Sequence, residues 1–171
     1  RERILAAARA ALLQRGPTEP GLAELMDAAG LTVGGFYAHF TSKDALMLEV
    51  FQQMLCQRRE RVAQFDPVLP GHERRVLLAA FYLSRKHRDA SEQGCPLPSS
   101  IGELARMPEG FRVVLAEHVE LMTAQLAGRP EEAEQALADI ALMVGGLALA
   151  RALGPGELSD RVLRAAKSAI V

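Results

Sequence analysis

Ala28-Ala29-Gly30-Leu31-Thr32-Val33-Gly34-Gly35-Phe36-Tyr37-Ala38-His39-Phe40-Thr41-Ser42-Lys43-Asp44-Ala45-Leu46 decides the fold. The stretch reads as the end of one short helix, a tight turn, a second short helix and the capped start of a third. Gly30 can take the left-handed conformation that ends a helix at little steric cost. Thr32 is placed as the N-cap of the helix that follows. Phe36 and Phe40 are four residues apart, so they share a face and can anchor it in a core. That leaves Val33, Gly34, Tyr37 and His39 to face outward. Ser42 then caps a new helix with Lys43 and Asp44 in its first turn. Two short helices joined by a glycine turn, the second presenting small and polar groups, form a helix-turn-helix. Such a unit can lay its second helix in the major groove of DNA.

The segment resembles the DNA-binding half of a TetR-type transcriptional regulator. The resemblance rests on Ala28-Ala29-Gly30, Thr32, Gly34, Phe36-Tyr37, His39-Phe40 and Ser42-Lys43-Asp44-Ala45-Leu46. It covers about the first quarter of the chain; the rest matches only in length and helical character. The resemblance implies a variable C-terminal part that binds a small molecule and forms a dimer. Three departures stand out. Glu19-Pro20-Gly21 occupies the opening of the second helix, where the family usually has a phosphate-touching Ser or Thr. Val33 and Gly35 stand where a basic and a hydroxyl residue are common. The chain begins at Arg1, inside the first helix, where a basic arm generally precedes it in the family.

Outward from this motif, the 171 residues have room for a real core and one or two small domains. The absence of tryptophan, few aromatics and abundant Ala and Leu favour helices over sheets. Apolar stripes at helical spacing place helices near 1–15, 22–29, 33–40, 43–65, 72–89, 99–106, 108–127, 131–153 and 157–170. The fifth is expected to bury Val76, Leu77, Ala80, Phe81 and Ser84. Its end, Arg85-Lys86-His87-Arg88, suits the negative pole of a helix dipole. The eighth is apolar around most of its circumference, with Gly145-Gly146 in its middle suggesting close approach of another helix. No apolar run is read as long enough for a membrane span, and no signal peptide is read. Cys56 and Cys95 make no disulfide framework, so a reducing cytoplasm is the simplest setting.

The net charge of −1 argues against a generally basic, non-specific nucleic-acid binder. Within residues 1–46, Arg1, Arg3, Arg9, Arg15 and Lys43 are balanced by Glu2, Glu19, Glu24, Asp27 and Asp44. Helix N-termini still offer amides to phosphates without side-chain charge, and a dimer concentrates a few cations on one face.

The resemblance implies that Tyr37 and His39 reach phosphates, and Lys43 is placed to do the same beside the groove. Thr32, Val33, Gly34 and Gly35 lead the recognition helix, where base edges are met. Met54, Phe81, Met107, Phe111, Leu115 and Met122 are candidate walls of a ligand cavity, although any single one of them is more readily ordinary core. The apolar walls would suit an uncharged, hydrophobic effector. Cys95 is a candidate redox thiol with no second cysteine near it in sequence. His87 and His118 lack metal-ligand spacing and read as solvated or hydrogen-bonded side chains. Ser99 and Ser100 look like caps rather than nucleophiles, and no catalytic constellation is present.

The sequence therefore specifies an all-α chain of about nine helices. A three-helix helix-turn-helix domain over 1–46 precedes a regulatory and dimerisation domain over 47–171. The expected function is a ligand-responsive repressor, not an enzyme, needing no cofactor or metal. Its expected partners are a double-stranded DNA operator, a small-molecule effector and a second copy joined through residues 131–153 and 157–170, with no membrane. The alternative is a helical small-molecule-binding or dimerisation protein without DNA-binding activity.

Overall fold

The computed structural model describes residues 1–90 and 94–170, and among these there are nine α-helices and no strand. They are α1 (Glu2–Arg15), α2 (Leu22–Ala28), α3 (Lys43–Ala63), α4 (Gly71–Tyr82), α5 (Arg85–Asp89), α6 (Leu97–Leu104), α7 (Glu109–Ala127), α8 (Ala133–Leu153) and α9 (Glu157–Ser168). Short 3-10 turns cover Val33–Gly35 and Pro130–Glu132. The chain forms two compact units, Arg1–Cys56 with Glu92–Leu115, and Gln57–Ser91 with Ala116–Val171.

In the first unit, α1 buries Ile4, Ala8, Ala11, Leu12 and Leu13. Leu5, at the same helical spacing, is only half-buried. Gly16 ends α1 at φ 80, and its N–H donates to the Leu12 carbonyl at 2.9 Å. A Cβ there would lie 2.8 Å from the Ser99 carbonyl and 2.9 Å from the Glu103 carboxylate. Glu103 in turn accepts hydrogen bonds from both the backbone N–H and the hydroxyl of Thr18. Helix α6 therefore clamps the α1–α2 loop. Ser99 and Ser100 lie inside α6 rather than capping it; the Ser99 hydroxyl sits 3.0 Å from the Leu12 and Pro96 carbonyls. The rings of Phe51 and Phe111 meet at 5.8 Å in this unit's core.

In the second unit, the long helix expected over 72–89 is broken. Leu83 leaves the helical region, and the Ser84 hydroxyl accepts the backbone N–H of His87 to start α5. Serine competes with the helical backbone for hydrogen bonds, which makes it a poor continuation and a good cap. The buried face of α4 also lies one residue off the expected stripe. Arg75, Leu78, Ala79 and Tyr82 are inside, whereas Leu77 and Phe81 are about half exposed. An arginine at a core position misdirects any reading based on apolar periodicity. It pairs there with Glu132 and with Asp139 of α8, each at 2.9 Å.

The basic run 85–88 does end a helix, α5, with Arg85 and Lys86 exposed, but its other half is turned inward. Arg88 is buried, donating to Ser159 at 2.9 Å and to Asp160 at 2.8 Å, and Arg151 donates to the His87 carbonyl at 2.8 Å. These bonds tie α5 to α8 and α9. The glycine pair of α8 divides its roles. A Cβ on Gly146 would press on Ala166 of α9 at 3.0 Å and Leu83 at 3.2 Å, while Gly145 faces open space. Residues 130–153 are also long and apolar enough to cross a membrane, at mean hydropathy 1.8, contrary to the sequence reading. Here the helix is packed against α4, α5 and α9 and carries the buried, arginine-paired Asp139, the pattern of a core helix.

Candidate nucleic-acid interface

Helix α2 ends in a Schellman motif. Gly30 takes φ 65, its N–H bonds to the Asp27 carbonyl at 2.8 Å, and Leu31 N–H bonds to the Met26 carbonyl at 2.9 Å. The left-handed backbone, not packing, demands glycine here, since the nearest atom to an added Cβ is 3.5 Å away. Gly30→Ala is therefore expected to cost about 1–2 kcal/mol in chemical denaturation. Gly21, with extended backbone, is the N-cap of α2 and offers no side-chain bond.

The segment expected as a regular helix over 33–40 is tighter and shorter. It is a 3-10 turn over Val33–Gly35, followed by turns closed by His39 N–H and Phe40 N–H on the Phe36 carbonyl at 2.9 and 3.1 Å. Adjacent glycines at its start lower the helical preference, and eclipsed 3-10 geometry does not propagate. Thr32 stands at the N-cap position, yet its hydroxyl makes no capping bond. Ser42 does cap α3, accepting Ala45 N–H at 3.0 Å.

The two phenylalanines divide this segment into faces. Phe36 is fully buried and Phe40 nearly so, their rings stacked at 5.6 Å. Thr32, Val33, Gly34, Gly35, Tyr37 and His39 are all exposed, Tyr37 at 65%. The Tyr37 ring leans edge-on against Phe36 at 5.3 Å, which fixes its base and leaves the hydroxyl outward. Neither Gly34 nor Gly35 has positive φ. An added Cβ at Gly34 would meet nothing within 4 Å, and at Gly35 only the Thr32 hydroxyl at 3.9 Å. Nothing inside the chain requires glycine at either site.

Lys43 is placed differently from its neighbours. Its ammonium donates to the carbonyls of Thr18 at 2.8 Å and Pro20 at 3.0 Å, fastening the α1–α2 loop to the start of α3. Sequence spacing gave no sign of this bond.

The expected cavity residues divide between the two units. Met54, Met107, Phe111 and Leu115 lie in the first unit; Phe81 and Met122 lie in the second. Met54, Met107, Phe111 and Met122 are buried, Leu115 is half-buried, and Phe81 lines an open pocket. Cys95 is buried and Cys56 half-buried, and the two form no disulfide. His87 and His118 are buried rather than solvated. No group of three or more potential metal ligands occurs among the described residues.

Residues 4–50 match the model of the family described as bacterial regulatory proteins, tetR family. The chain is 28% identical over 114 residues to the HTH-type transcriptional repressor NemR of Escherichia coli K12; this covers 66% of the chain and 57% of NemR. The chain thus spans less than two thirds of the curated relative it matches. Among solved structures it is similar to E. coli NemR in its reduced form (TM-score 0.83, 22% identity, 99% of this chain and 93% of that one). It is also similar to a TetR transcriptional regulator from Legionella pneumophila (0.77, 21%, 99% and 94%). A third neighbour is a TetR-family regulator from Agrobacterium tumefaciens (0.80, 19%, 99% and 96%). These neighbours show a common fold along nearly the whole chain, and the motif-bearing segment matches on sequence. The chain therefore matches the tetR family of bacterial regulatory proteins in sequence over residues 4–50 and shares the fold of such regulators along nearly its whole length.

Proposed function

We propose that the protein is a DNA-binding transcriptional repressor that acts as a homodimer and is released from its operator by a small molecule. Residues 1–46 carry the DNA contact, and residues 47–171 carry the effector and dimer functions. The observation that carries this reading is the Thr32–His39 face, which is exposed and sterically open while Phe36 and Phe40 lock its reverse side into the core. Tyr37 and His39 supply phosphate-positioning groups. Thr32 and Val33 meet base edges, and the two glycines let the backbone come close. Lys43 acts mainly by holding the loop that precedes α2.

Dimerisation is supported by an uncovered apolar surface on α8 and α9. Leu137, Leu149, Leu153 and Leu158 are each more than 40% exposed, and a shallow groove between the helices is lined by Ala141, Gly145, Leu149, Val162 and Ala165. Patches of this kind mark interfaces between copies. Two recognition segments in such a dimer would meet successive major grooves roughly 34–36 Å apart.

DNA from beside the protein's own gene provides the test. Binding is expected to be sequence-selective and to weaken steeply with salt. Tyr37→Ala is expected to raise the operator Kd about tenfold by removing one phosphate hydrogen bond, with an unchanged melting temperature because the side chain is exposed. Absence of binding at low salt would overturn the regulator reading in favour of a ligand-binding or dimerisation protein.

A further inference from the structure

Among the described residues, Arg58 of α3 is a buried cation without a counter-charge. It is only 6% exposed, none of the ion pairs among the described residues includes it, and its Nη2 meets no acceptor. Its guanidinium lies over the rings of Tyr82 and Phe81, at 5.4 and 5.9 Å from their centroids. Those rings fix its plane and offset part of its desolvation, but they supply no anion. A buried charge is ordinarily paired, and an unmade bond to a buried guanidinium costs more than an unmade neutral one.

Its surroundings add positive potential. Arg58 and Arg59 both press the His118 imidazole toward neutrality, and Arg58 and Arg151 do the same to His87. Both imidazoles thus lie within reach of the Arg58 charge.

Arg58 also lines a pocket of about 360 Å³. Its other walls are Val62, Phe65, Leu77, Leu78 and Phe81, with the exposed Arg61 beside them. The volume falls at the small end of the range for ligand sites, and a few charged groups among apolar walls are the usual composition of such sites. Unlike the other arginines of the second unit's interior, Arg75 and Arg88, Arg58 has its binding capacity left over for a molecule in this pocket.

We propose that this pocket binds a small organic carboxylate, with Arg58 taking the carboxylate and Phe65, Leu77 and Phe81 covering an apolar tail. This rests on the ligand-responsive reading above and names its ligand as an anion rather than the uncharged molecule that apolar walls alone suggested. A guanidinium suits a carboxylate because its planar fork can donate two parallel hydrogen bonds.

Calorimetric titration of the full chain with octanoate, octan-1-ol and inorganic phosphate at matched ionic strength tests the proposal without DNA. Octanoate is expected to bind at least tenfold more tightly than either control, and Arg58→Gln is expected to remove that difference. Because Arg58 is buried, Phe81→Asp supplies a second variant at a half-exposed position. It places a like charge beside the carboxylate and is expected to weaken octanoate at least tenfold while affecting octanol less. Equal affinities for octanoate and octanol, phosphate binding as tightly as octanoate, no octanoate binding at millimolar concentration, or unchanged octanoate binding in Phe81→Asp would each overturn it. Operator binding by the unliganded protein is read separately, so failure of the pocket and failure of the DNA reading are distinguishable.

Discussion

Arg75→Met is expected to lower the free energy of unfolding by about 3–5 kcal/mol, the largest loss from any single substitution argued for this chain. The Arg75 side chain donates to the Leu126 carbonyl at 3.0 Å and to Glu132 at 2.9 Å, and its Nε faces Asp139 across 2.9 Å. Asp139 is 3% exposed, and apart from Arg75 it has a hydrogen bond from Gln135 at 2.8 Å. Without the guanidinium, a carboxylate would remain inside an apolar helix packing, and neutralising or hydrating it is costly. The Arg75 hydrogen bond is also the main reason that the Glu132 carboxyl titrates below its ordinary range.

The site cannot relax around the change. A Cβ on Gly71, one turn earlier in α4, would fall 2.0 Å from the Ala127 carbonyl and 2.3 Å from Glu132, so the two chain segments already touch backbone to backbone. Exchanging both partners separates lost packing from stranded charge. Arg75→Met with Asp139→Leu is expected to recover most of the loss, because no uncompensated carboxylate is left. Urea denaturation of the two single variants and the double variant measures the coupling. Additive losses would show that the pair is not the source.

How much of this was legible in the sequence depends on the range of the interaction. The Gly30 turn, the Ser42 cap, the burial of Phe36 and Phe40 and the exposure of Tyr37 and His39 are local. Each follows from a spacing of four residues or fewer, and each is in the structure. The break at Ser84 was also local but was masked by the apolar residues on either side. The Arg75–Asp139 pair joins residues 64 positions apart. In sequence, Arg75 counts as a surface residue and turns the apparent face of α4 toward Leu77 and Phe81. The same blindness hid Arg58, since a charge on a long helix is ordinarily solvated and only the fold shows which one is enclosed. The candidate interface was therefore readable because it is made of consecutive residues, whereas the pocket was not because α3 and α4 bring its walls together.

Acidification from pH 7 to pH 4 is expected to lower stability by about 6 kcal/mol, through His87 and His118 together. Both imidazoles are buried, and both titrate at about 4 instead of 6.5. Burial is the main cause in each. For His87, the hydrogen bond from its Nδ1 to the Tyr82 carbonyl partly opposes it, while Arg58 and Arg151 reinforce it. For His118, Arg59 and Arg58 reinforce it, and the Arg59 guanidinium 3.3 Å from Nδ1 suits a neutral ring that accepts a hydrogen bond. A depressed histidine pKa means that, between pH 6.5 and 4, the unfolded chain binds protons that the folded chain refuses. Stability is therefore complete above pH 6.5, falls as the pH drops through that window and levels off below 4. The paired carboxylates of Asp89, Glu132 and Asp160, whose pKa values are lowered by their arginines, lose their contribution only at and below the carboxylate range, so the two effects are ordered in pH. Urea denaturation at half-unit steps gives the curve. His118→Gln, which cannot take up a proton, is expected to flatten the slope between pH 6.5 and 4 by about half. Equal stability at pH 7 and pH 4.5 in the unsubstituted chain would show that the two rings are hydrated in solution.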